Sequence, residues 1–104
     1  MTIDHEVLET VVQNDLGFDS IDEFARQQAF SLLTGKAAEL QKRITAYEDK
    51  YGMDYAAFRM RVIDKQDLIL KDFGIFEKED DDFNWEDCLH ALAYYKQRLD
   101  LLSA

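Results

Sequence analysis

Apolar residues recur three and four apart along most of this chain, and no stretch of useful length alternates between apolar and polar. That period is helical, so the sequence predicts an all-α fold of four to five helices. The clearest run passes through Leu33, Ala37, Leu40, Ile44, Tyr47 and Tyr51. Its steps of four and three make a heptad seam, the pattern by which one helix lies along another. Cys88, Leu92, Tyr95, Leu99 and Leu102 repeat the spacing near the end of the chain, and Trp85 and Leu89 widen that stripe. Two helices with such seams are expected to pack antiparallel in a helical bundle, either within one chain or across a dimer.

The remaining elements follow from their stops and caps. Ile3, Val7, Leu8, Val11 and Val12 share one side of a first helix predicted over about Asp4–Asn14. The chain has no proline, and its glycines at 17, 35, 52 and 74 read as helix stops. Ser20 followed by Glu23 is a capping box at the start of a second helix carrying Ile21, Phe24, Ala25, Gln28 and Leu32. Thr34-Gly35 offers that helix an end. A helical glycine costs only about 1 kcal/mol against alanine, so one helix over 21–51 is the alternative. Gly52 closes the seam helix, and Asp54 caps a further helix bearing Tyr55, Phe58, Val62 and Ile69, which runs to near Phe73-Gly74. Glu77–Asp87 is expected as a loop, with Asn84 capping the last helix. The organisation predicted is a single helical domain over 1–104. It comprises an N-terminal helix pair in 1–34 and a helical hairpin or bundle over 35–104 that includes the acidic loop 77–87.

Charge narrows the function classes. The formal net charge is −10, and Glu77–Asp87 alone holds seven acids against Lys78. Nucleic acid backbones demand clustered Lys and Arg, so direct nucleic-acid binding is not expected. A cationic protein partner is favoured instead. Hydrophobic content of 47% excludes a wholly disordered chain. Cys88 is the sole cysteine, so no disulfide forms within the chain. The longest unbroken apolar run, Ala91–Tyr95, falls far short of the roughly 20 residues needed to span a bilayer. Asp4 and Glu6 stand where a signal peptide needs positive charge. A cytoplasmic protein is expected.

No reaction centre emerges from the spacing, so no catalytic residue, cofactor or metal is assigned. Asp80, Asp82 and Asn84 match the first ligands of a calcium-binding loop, but Trp85 and Ala91 hold the places where that loop needs Gly and a bidentate Glu. Cys88 and His90, two apart on a helix, point to different faces and cannot form a nucleophile–base pair. Aromatic anchors flanked by charge suit an interface, so Asp80, Asp81, Asp82, Phe83 and Trp85 are the candidate partner-binding residues. Replacing Trp85 with Ala while neutralising the three aspartates is expected to weaken partner binding and leave helicity intact.

Two resemblances supply further expectations. Asp15-Leu16-Gly17-Phe18-Asp19-Ser20-Ile21-Asp22 resembles the attachment motif of acyl carrier proteins, which implies Ser20 as an alternative site for a phosphopantetheine arm. Only 19 residues precede this serine, and the family's proline-containing acidic turn is missing, so a helix cap accounts for Ser20 as well. Gly17–Arg26 resembles the start of the second helix of ribbon-helix-helix antitoxins. Tyr47–Met53, with Phe83-Asn84-Trp85-Glu86 and the closing helix, is similar to small helical antitoxin-like proteins encoded beside RelE-type toxins. That likeness implies an inhibitor that binds a basic ribonuclease toxin; a non-enzymatic protein, and from its seams a homodimer, is expected. No DNA-reading strand is visible before Ile3, so the DNA binding usual in antitoxins is not expected. The other alternative is a helical regulatory or scaffold subunit.

Overall fold

A computed structural model describes residues 4–103, all of whose regular elements are helical. Helix α1 covers His5–Thr10, α2 Ile21–Tyr51, α3 Tyr55–Ile63 and α4 Ile75–Ser103. Asp4 starts α1 by accepting hydrogen bonds from the Glu6 and Val7 amides. The helix then widens into a π-helical turn over Val11–Asp15, and Gly17 reverses the chain at φ +76°. Ile3, assigned above to the apolar side of this helix, lies outside the described residues.

Helices α2 and α4 form a long antiparallel hairpin. Arg26, near the start of α2, donates to the Leu102 carbonyl at 3.1 Å. Lys50, at its other end, pairs with Glu77 and Asp81 at 2.7 and 2.6 Å. At 1.5 Å per residue, α2 alone is about 46 Å long. The molecule measures 66 × 30 × 17 Å with a radius of gyration of 21.1 Å. A compact chain of this length would have a radius near 13 Å, so the fold is very elongated.

Three sequence expectations are corrected here. Gly35 does not end a helix: α2 is the continuous 21–51 helix given above as the alternative, and the division at residue 34 falls inside it. Leu33, Ala37 and Leu40 are all partly buried, so the apolar side of α2 continues across the glycine, and that burial outweighs its local cost. The acidic segment 77–87 is helix, not loop, and Asn84 is an interior residue of α4 rather than its cap. Gly74 stands before the helix instead, and its amide donates to the Glu77 carboxylate at 3.3 Å. Glu77 lies in the first turn, where the helix dipole favours negative charge. Asp81 and Asp82 behind it are tied to Lys50 and Tyr51 of α2 and to Tyr55 and Arg59 of α3. Finally, α3 stops at Ile63 rather than near Phe73. Asp64 turns extended and its carboxylate accepts the Gln66 amide, an Asx turn that ends the helix.

The core sits where the hairpin turns. Gly52 ends α2 in the left-handed conformation at φ +68°, and Asp54 caps α3 through the Ala57 amide at 2.8 Å. Helix α3 and the 64–74 turn then fold over α2 and α4. Ile44, Tyr51, Phe58, Leu70, Trp85, Cys88 and Leu92 are buried together. Asp67 fixes the turn by pairing with Arg61 at 3.1 Å and accepting the Leu70 amide at 2.9 Å, which seats Leu70 in that core.

Candidate functional site

The acidic half of α4 divides its charge between two faces. The inward face carries Glu77, Asp81, Asp82 and Glu86, all engaged by groups of α2 and α3. Lys50 sits between Glu77 and Asp81, and the Tyr51 hydroxyl donates to Asp81 at 2.5 Å. The Tyr55 hydroxyl lies 2.6 Å from Asp82 and 2.7 Å from Glu86. Arg59 pairs with Asp82. The hydrogen bonds that Lys50 donates to the two carboxylates hold it charged well above the usual lysine range. Burial, then the hydrogen bonds to the carboxylates, push the Tyr51 and Tyr55 phenols up. Each of these shifts resists proton loss, so the cluster behaves as a stabilising network.

Trp85 is the centre of the core. It is fully buried, with ring centroids of Tyr47, Tyr55 and Phe58 at 5.5, 5.4 and 5.1 Å. Its indole N–H meets no hydrogen-bond acceptor. The five candidates therefore separate. Asp81, Asp82 and Trp85 belong to the interior network, while Asp80 and Phe83 face out. Trp85→Ala, offered above as a change at a partner contact, would instead empty the place of the largest fully buried side chain among the described residues.

The outward face was missed as a unit by reading the segment as a loop. Phe83 is 74% exposed and Phe76 is 81% exposed. Their spacing of seven residues places them in line on α4. Glu79, Asp80 and Asp87 are exposed along the same half of the helix. None of the three makes an ion pair among the described residues. The signal that could have found this face was Phe76-x6-Phe83, visible once Ile75 rather than Trp85 opens the helix.

Other candidates resolve geometrically. The Ser20 hydroxyl accepts the Glu23 amide at 3.0 Å, the first half of the predicted capping box. The second half is absent, because the Glu23 carboxylate turns to Arg26 and Gln27. Those contacts draw its pKa down to about 2. Cys88 is buried and His90 exposed. Among the described residues no group of three or more His, Cys, Asp or Glu could hold a metal ion, and no helix is long and apolar enough to cross a membrane. Comparison with known protein families, curated proteins and solved structures found no match to this chain.

Proposed function

We propose that this chain is a non-enzymatic protein–protein interaction module that takes a basic protein partner on the outward face of α4. One observation carries the reading: Phe76 and Phe83 stand exposed on an ordered helix beside three carboxylates that make no ion pair among the described residues. Aromatic anchors supply desolvation energy, and the free carboxylates select a cationic surface and speed its approach. A toxin-like ribonuclease, the partner implied by the antitoxin likeness, has the required charge and is the first candidate.

The test is co-expression with any small basic protein encoded beside this chain. A stable complex and relief of that protein's toxicity are expected. Phe83→Ala with Asp80→Asn and Asp87→Asn should abolish both while the helical circular dichroism stays unchanged. A complex that survives the triple substitution would move the interface elsewhere. Absence of binding to any such neighbour would remove the antitoxin form of the proposal.

A further inference from the structure

Helix α4 carries a second apolar line on the side away from its core residues. Phe76, Phe83, Tyr94 and Leu101 fall within about 20° of one another around the helix at 3.6 residues per turn. Trp85, Cys88 and Leu92, which enter the core, lie on the opposite side. Tyr94 and Leu101 are 51% and 60% exposed, so the line is uncovered along its length. Helices apolar on both sides are normally covered on both.

The arrangement of this line specifies what covers it. Its spacings are 7, 11 and 7 residues, the same read from either end, with the midpoint between Cys88 and Leu89. Two copies of α4 laid antiparallel about that midpoint bring Phe76 against Leu101 of the second copy and Phe83 against its Tyr94. The charges obey the same reversal. The first half of the face is acidic, with Glu79, Asp80 and Asp87, and the second half carries Arg98. Antiparallel pairing sets Glu79 and Asp80 at the height of Gln97 and Arg98 of the second copy, with Asp80 beside Arg98 on one flank and Glu79 beside Gln97 on the other. Parallel pairing would instead lay the two acidic halves, with Glu79 and Asp80, on each other, a like-charge juxtaposition that selects against it.

We propose that the outward face of α4 pairs with the same face of a second copy, antiparallel about a two-fold axis at residues 88–89. Such a contact is isologous, each patch being its own complement. The eight apolar side chains of the pair, at roughly 100 Å² apiece, supply about 800 Å² of cover. That is the centre of an interface in the range of about 1,200–2,000 Å² that stable pairs bury, the remainder coming from the polar rim. The inference rests on the spacing and charge of the line rather than on the existence of a basic partner. Phe83 belongs to both contacts, however, so pair and partner exclude each other, and self-association holds the face until a partner displaces it.

Sedimentation equilibrium on the full chain alone tests the pairing, independently of any partner. A dimer is expected, and Phe83→Glu or Tyr94→Glu should each raise its dissociation constant by roughly 100-fold, the scale of losing one interface hot spot. Both positions are exposed, and circular dichroism would verify that each variant keeps its helices. Register is read from disulfide formation between Asp80→Cys and Arg98→Cys chains, with Cys88 buried and out of reach. The mixture should cross-link and each variant alone should not. A chain that stays monomeric into the millimolar range would overturn the proposal, as would a dimer indifferent to both glutamates. Cross-linking of either variant with itself but not in the mixture would overturn the antiparallel register.

Discussion

At the hinge end of the hairpin, α3 and the 64–74 turn lie over α2 and α4, and Tyr51, Phe58, Leu70, Trp85 and Cys88 are sealed from water. At the free end the same two helices run without α3. There Phe24, Ala29, Leu33, Tyr95, Leu99 and Leu102 stay only partly buried. The apolar pattern is similar at both ends, so composition does not make the difference. Two helices touch along one stripe each, and the flanks of that stripe remain wet until a third element closes over them. Polar contacts follow the same division. The hinge end interlocks Lys50, Tyr51, Tyr55 and Arg59 with four carboxylates, whereas the free end is tied across the hairpin by Arg26 and the Leu102 carbonyl.

Truncation at the two ends gives the largest contrast. Trp85→Ala should cost about 3–5 kcal/mol, the usual loss for a buried aromatic whose cavity cannot collapse. Leu99→Ala, on a half-buried side chain, should cost about 1 kcal/mol. Urea denaturation of both variants measures the difference. Equal losses would show that the free end is covered by something as effective as α3, and the comparison would fail.

These positions also show what the sequence made legible. Spacing alone placed Ile44, Tyr51, Cys88 and Leu92 on buried sides, because period three-four directly encodes a helical face. The caps at Ser20 and Asp54 and the stop at Gly52 were equally readable, being local chemistry. The course of Glu77–Asp87 was not. A run of acids reads as solvated chain, and what makes it helix lies 23 to 31 residues away, in Lys50, Tyr51, Tyr55 and Arg59. With the helix start misplaced, Trp85 was read both on the packing stripe and as a partner contact, and Phe76 was overlooked. The candidate site was therefore half visible: its charge and Phe83 were evident, but which carboxylates were free was not. The fold of α3 failed for a similar reason, since Asp67 holds Leu70 in place through contacts that leave no periodic trace.

A smaller effect distinguishes the two ends by pH. Lys50, Tyr51 and Tyr55 all have folded pKa values above their unfolded values of 10.5, 10.0 and 10.0. The folded state keeps protons that the unfolded chain releases, so this stability is complete below pH 10 and is lost as pH rises beyond it. Glu77 and Asp67 at the hinge end, and Glu23 at the free end, are shifted the other way. Their contribution is present above the unfolded carboxylate range and is lost as pH falls, for Glu23 until about pH 2. Both ends therefore weaken in acid, and the alkaline loss belongs to the hinge end. Trp85 fluorescence during denaturation between pH 9 and 12 should show the loss, and Tyr51→Phe with Tyr55→Phe should flatten it. An unchanged slope in the double variant would place the titration elsewhere.

The smallest predicted effect bears on how the two ends communicate. Gly35 lies inside α2 between the sealed and the open stretches, and a methyl group added there would meet no atom within 4 Å. Gly35→Ala should therefore stabilise the helix by about 1 kcal/mol, through backbone freedom removed from the unfolded chain. Where that gain appears is the informative part. If the hairpin opens from its free end, residues 21–34 exchange their amide protons through a partial opening that ends near the glycine. Stiffening α2 at that point couples the open stretch to the sealed one, so protection should rise more over 21–34 than over 36–51. A uniform rise would mean that the two ends unfold as one unit, and their difference in burial would then carry no difference in local stability.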